Sequence, residues 1–218
     1  GQRERLDWAD INSRNGLGRI TATLEKEDRN HLLMSGECRT RAGSPANISL
    51  QRLCSETCVR SISCDFSGRP YEGLEIEDVR IYLTNVNAEA AIIQDEPYLP
   101  SRIVNAGAFN EKDMTYFLDR SMIMQEVEGK IGKATRTLDI SLLCYPNETQ
   151  EEGPGTPFTK LVIEGRAGGE TYYWPIRINK EKGIESNLKE RRRKALKDAL
   201  GNDAEVNKYM KILFNYKD

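Results

Sequence analysis

Between residues 58 and 178 the chain repeatedly alternates apolar and polar side chains over short runs. In Cys58-Val59-Arg60-Ser61-Ile62-Ser63-Cys64-Asp65-Phe66 the even positions are mostly apolar and the odd ones mostly polar. Val79, Ile81 and Leu83 share one side of the run at 78–86, and Leu138, Ile140, Leu142 and Cys144 share one side of 137–144. Tyr172, Trp174, Ile176 and Ile178 do the same near the end. A period of two sends alternate side chains to opposite faces, so each run predicts a strand that covers a core on one side. The predicted core is Ile62, Val79, Ile81, Leu83, Leu138, Ile140, Leu142, Ile163, Tyr172, Trp174, Ile176 and Ile178. An all-β antiparallel sandwich with a mechanical or adhesive role follows.

The segments between these runs are rich in turn formers. Ala42-Gly43-Ser44-Pro45, Phe66 through Gly73 and Gly153-Pro154-Gly155-Thr156-Pro157 are breaks by their glycine and proline content. Further strands are predicted at 31–34 and 47–53. The run at 114–124 fits a short helix or a strand, and 97–110 reads as a long surface connection. Leu161-Val162-Ile163-Glu164 and the run from Thr171 flank Gly165-Arg166-Ala167-Gly168-Gly169, which predicts a hairpin. The character changes at the end of the chain. Asn187 and Glu190 have capping-box spacing ahead of a run of helix formers that stops at Gly201. Val206, Tyr209, Met210 and Leu213 follow helical spacing in a second segment.

Composition narrows the classes. Among 218 residues, 32 are basic and 34 acidic, and 38% are apolar, which permits a folded globule. A net charge of −2 gives no electrostatic case for nucleic acid, because phosphate binding needs a concentrated basic surface. No run approaches the length of a membrane-spanning helix, and no signal segment is visible after Gly1. Five cysteines, Cys38, Cys54, Cys58, Cys64 and Cys144, match no zinc spacing. Cys58, Cys64 and Cys144 fall on predicted apolar faces and read first as small core hydrophobes, with disulfide and metal roles as alternatives.

Catalytic chemistry is not predicted. His31 is the single histidine, and no nucleophile elbow, phosphate loop or dinucleotide fingerprint is present. Glu75, Glu77 and Asp78, or Glu148, Glu151 and Glu152, could pair as acid and base, but they sit in turn-rich sequence that predicts solvated surface. The run Lys189-Glu190-Arg191-Arg192-Arg193-Lys194 reads first as the solvated side of a helix that carries Leu188, Ala195, Leu196 and Ala199 on its apolar side, with a patch for anionic lipid or nucleic acid as the alternative. No cofactor, metal or enzyme activity is expected.

Several segments together resemble the fimbrillin (type V pilin) family of oral and gut anaerobes. They are Leu33-Met34-Ser35-Gly36, Ile48-Ser49-Leu50-Gln51-Arg52-Leu53, and Ser61-Ile62-Ser63-Cys64-Asp65-Phe66-Ser67-Gly68. The likeness continues through Asp78-Val79-Arg80-Ile81-Tyr82-Leu83-Thr84-Asn85-Val86 and Leu161-Val162-Ile163-Glu164-Gly165. It ends with Tyr172-Tyr173-Trp174-Pro175-Ile176-Arg177-Ile178-Asn179 and Gly183-Ile184-Glu185-Ser186-Asn187. The resemblance implies transthyretin-like β-sandwich domains, export as a lipoprotein, and display on the cell surface in fimbriae at the outer membrane. It implies partnership with other fimbrial subunits by donor-strand exchange, a form of β-augmentation. Adhesion to host or bacterial surface glycans or proteins is a further implied role. On this reading residues 1–45 are the remnant or second half of an N-terminal β domain, 46–187 a β-sandwich domain, and 188–218 a helical tail. The sequence after Gly183 departs from the family, which bears on its last strand. The rival expectation is a carbohydrate- or protein-binding sandwich that uses the connection at 97–110.

Overall fold

The computed structural model describes residues 6, 11, 13–69, 72–93, 98–150, 157–179 and 183–185. The predicted capping box at Asn187, the helical tail at 188–218 and its basic run lie outside the described residues. The chain divides into two compact units, Gly1–Trp174 and Pro175–Asp218.

In the first unit the regular structure described is mostly β, in antiparallel pairs. The strands are β1 (Thr21–Thr23), β2 (Met34–Ser35), β3 (Gln51–Arg52), β4 (Ser55–Ile62), β5 (Glu77–Thr84), β6 (Val86–Asn87) and β7 (Glu89–Ala91). They continue with β8 (Ile103–Val104), β9 (Met124–Val127), β10 (Arg136–Cys144), β11 (Lys160–Ala167) and β12 (Glu170–Asn179), whose last residues enter the second unit. There they pair with β13 (Gly183–Glu185), Ile178 opposite Ile184. Among the described residues of the first unit, helical structure is slight: one α-turn, Arg14–Leu17, capped by the Ser13 side chain, and three 3-10 turns.

The main sheet of the first unit is built on β5, with β9 on one side and β11 on the other. Its core side carries Val79, Ile81 and Leu83, each at most 1% exposed. β4 and β10 pair with each other, and there Val59 faces Ile140 and Thr57 faces Leu142, all buried. An irregularity between Thr137 and Ile140 shifts the register at the far end of this pair. Gly165 lets β11 close on the segment before β5: a Cβ there would lie 2.3 Å from the Ile76 methyl.

Several expectations are corrected. Along β4 the core side is that of Thr57 and Val59, so Ile62 is half-buried and Cys58 is no core filler. Arg60 belongs to the even set, and its ion pair with Asp139 holds that set toward solvent. A one-residue slip in register exchanges the two faces of a strand, which is why a single run with Val59 in the minority set was misassigned. Tyr172 is the second correction, being 46% exposed rather than core. The run at 114–124, which fitted a short helix or a strand, forms the 3-10 turns Asp113–Tyr116 and Arg120–Met122 before β9 begins. The strand expected at 47–53 is reduced to Gln51–Arg52, and that expected at 31–34 to Met34–Ser35. The boundary drawn at residues 45 and 46 falls between β2 and β3, which pair with each other, and β1 pairs with β7.

Candidate functional site

Of the twelve predicted core residues, Val79, Ile81, Leu83, Ile140 and Leu142 are buried. Leu138, Ile163, Trp174, Ile176 and Ile178 are half-buried, as is Ile62. Tyr172 is exposed, and its ring lies against that of Trp174, with centroids 6.0 Å apart and planes 25° from parallel. Strand alternation puts these two rings on one side of β12. That side is apolar by sequence yet incompletely covered.

The opposite side of the main sheet is charged. Arg80 on β5 sits between Glu126 on β9 and Glu164 on β11, in direct register with both. Arg80 Nη2 donates to Glu164 Oε1 at 2.6 Å, and the Tyr82 hydroxyl donates to Glu164 Oε2 at 2.9 Å. Phe109 covers both: its ring is 5.1 Å from that of Tyr82 and 4.9 Å below the Arg80 guanidinium. Burial, followed by the bond to Glu164, holds the Tyr82 phenol well above its ordinary range. The hydrogen bond to Glu164 holds Arg80 above its ordinary value. Toward one end, Arg166 and Lys130 flank Glu77, and the Arg166 bond is the main cause holding that carboxyl below its usual range. Arg80, Glu126, Glu164, Glu77, Arg166 and Lys130 line a groove of about 690 Å³.

A third surface is the ribbon of β2 and β3. Every residue from Gly36 to Arg52 is exposed. Leu53 N–H donates to Leu33 O at 3.0 Å below the ladder, and the close approach of Gly36 to Ser49 O leaves no room for a Cβ above it. The polar residues Ser35, Glu37, Asn47, Ser49 and Gln51 line, with Ile92, Ile93 and Tyr98, a hollow of about 370 Å³. Ile48 and Leu50, 54% and 60% exposed, belong to the alternate set.

Two buried polar clusters were not read from the sequence. Glu27, 2% exposed, accepts from the fully buried Tyr145 hydroxyl at 2.9 Å and from Leu33 N–H at 3.2 Å, at the root of the ribbon. Asn85 and Asn105 both adopt left-handed backbone (φ 52° and 51°), a conformation asparagine tolerates better than other non-glycine residues. Asn85 N–H donates to Asn105 O, Asn105 Nδ2 donates to Leu83 O, and Asn85 Oδ1 accepts from Gly107 N–H. The connection expected as surface loop at 97–110 is thereby pinned, and Val104 and Asn105 are buried in it. Asparagine before a strand break, at Asn85 and again at Asn105, was the available signal.

The remaining candidates are placed apart. His31 is exposed and contacts Asp28 at 2.8 Å. Glu77 and Asp78 face Arg166, whereas Glu148 lies near Tyr98. None of the five cysteines is in a disulfide: Cys54 and Cys144 are buried and Cys38 is exposed. Among the described residues no group of three or more His, Cys, Asp or Glu side chains is arranged to hold a metal ion.

Burial pushes the Cys144 thiol up to about 12 and raises the Tyr145 phenol, whose further causes are the charges of Glu27 and Cys54. Both groups are therefore neutral in the fold and ionise first in the unfolded chain. Their contribution is complete below the unfolded values near 9 and 10 and is lost as pH rises above them. Each should subtract about 1.4 kcal/mol per pH unit there. Urea unfolding at pH 8, 10 and 11 should show a steep fall in midpoint above pH 10, and a flat profile would disprove the buried placement.

These surfaces offer main-chain edges, apolar sides and a charged groove. No family model, no curated protein and no solved structure matches this sequence.

Proposed function

We propose that the chain is a non-catalytic fimbrial subunit, structural or accessory, displayed at the cell surface and joined to its neighbours by strand exchange on a transthyretin-like β-sandwich. One observation carries this reading. Side chains that alternation assigns to the interior, from Leu138 and Ile163 to Tyr172 and Trp174, retain exposure. Among the described residues, β4 and β10 pair only with each other over seven positions, so both present outer edges facing away from that pair. A sandwich whose apolar interior is partly open beside unpaired strands has the form of an acceptor. An incoming extended segment gains main-chain hydrogen bonds and seats alternate side chains on the uncovered surface.

A synthetic peptide copying the terminal strand of a fimbrillin subunit tests this. Stable capture should raise the melting temperature, by an amount corresponding to about 2.7 kcal/mol when the peptide is at a hundred times its Kd. Tyr172→Arg should abolish capture while leaving the stability of the unliganded chain nearly unchanged, because the ring is already exposed. Indifference to such peptides would refute strand exchange.

The second reading, a glycan- or protein-binding sandwich, is favoured by one feature. Tyr172 and Trp174 form a near-parallel aromatic pair with exposed surface, on which an apolar sugar face can stack. Binding on a glycan array that is lost in Tyr172→Ala would select it.

A further inference from the structure

We infer that the ribbon of β2 and β3 is a second assembly element, and that its occupant is the charged groove of another copy of this chain. The ribbon leaves two large apolar side chains, Ile48 and Leu50, in solvent, while its polar residues line a hollow with Ile92 and Ile93. Between Gly36 and Arg52 it carries three arginines and one glutamate. Glu37 is engaged by Arg14 at 3.2 Å, whereas Arg39 and Arg41 have no ion-pair partner among the described residues. Two ribbons facing each other would bring like charges together, which disfavours a two-fold pairing through this surface.

The groove has the opposite character. Five carboxylates and three cations line it. Its cations are already engaged, Arg80 with Glu164, and Arg166 and Lys130 with Glu77. Glu126 and Glu128 are exposed and have no ion-pair partner among the described residues. They are two positions apart, as are Arg39 and Arg41, so the two pairs can meet in one register. Beside the carboxylates the same side of the sheet carries Tyr173, 59% exposed, and the half-buried Phe109 ring over Arg80, which offer apolar cover to Ile48 and Leu50.

Such a contact is heterologous: each copy gives a ribbon and receives one, so it propagates into a filament unless the rotation closes a ring. A few side chains on each partner bury less surface than a stable free-standing dimer needs. The contact is therefore weak alone and is strengthened where neighbours are already tethered. This inference rests on the reading of the chain as a fibre subunit and adds a lateral restraint to strand exchange.

Sedimentation velocity on the whole chain at rising concentration, with two charge-reversed variants, provides the test. Wild type should self-associate, more weakly as salt is raised. Arg39→Glu with Arg41→Glu, and separately Glu126→Lys with Glu128→Lys, should each weaken association at least about tenfold, since every reversed pair becomes repulsive. Mixing the two variants should restore association, because the reversed ribbon of one meets the reversed groove of the other. All four residues are exposed, and an unchanged melting temperature shows that the fold is kept. A monomeric wild type, unaffected variants or a mixture that stays monomeric would each overturn the contact. Capture of the strand peptide, measured on the same samples, reports separately on strand exchange, so failure of one reading is distinguishable from failure of the other.

Discussion

Leu142→Ala should destabilise the chain by about 3 kcal/mol, and Tyr172→Ala by less than about 1 kcal/mol, although the sequence assigns both residues to the core. Leu142 is fully buried on β10 opposite Thr57, so truncation removes its apolar transfer energy and leaves a cavity that its neighbours fill only in part. Tyr172 already spends nearly half its surface in water, and truncation there leaves no enclosed void. For a chain of this size the first change corresponds to a drop in melting temperature of roughly 6–12 °C. Calorimetry on the two variants decides the matter: equal losses would mean that the exposed side of β12 is covered as well as the β10 core.

The second large effect lies at the root of the ribbon. Tyr145→Phe should cost about 2–3 kcal/mol, because it withdraws a donor from a carboxylate that is 2% exposed. Glu27→Ala should cost more, about 3–5 kcal/mol, by leaving the Tyr145 hydroxyl and the Leu33 N–H buried without that acceptor. If the two residues act through each other, the double variant should lose about 1–3 kcal/mol less than the sum of the single losses. Additive losses in urea unfolding would show that the bond carries no coupling. The Glu27 variant should also loosen β2 and β3, since Leu33 is the last residue before the ribbon.

How far the sequence reaches is visible in β5. Val79, Ile81 and Leu83 alternate cleanly, and they form the buried side. Tyr82, on the other side of the same strand, is 2% exposed because Phe109 arrives from a distant loop, which no local period can announce. In β4 the period was legible and its phase was not: two sets compete there, and pairing with β10 chooses the one with Thr57 and Val59. The all-β antiparallel architecture was therefore readable, since it depends on periods, whereas the exposure of Tyr172 depends on what covers a strand. The candidate surfaces were less legible. The carboxylates of the groove come from three strands, and Glu27 and Tyr145 are 118 positions apart. The ribbon kept a recognisable glycine at Gly36, but nothing local shows that its polar residues share a hollow with Ile92 and Ile93.

The asparagine pair gives the long connection a thermodynamic standing that its sparse strand content conceals. Asn105 N–H donates to Asp113, Asn105 Oδ1 accepts from Asn110 N–H, and Asn85 Nδ2 donates to Phe158 O. The segment is thus stitched both to itself and to the ends of β5 and β11 through the same two side chains. A loop held in this way has no low-energy route to opening by itself, because releasing it strands buried amides. It melts as part of the sheet's cooperative unit, so a force applied across the sheet is resisted by the connection as well as by the strands it joins.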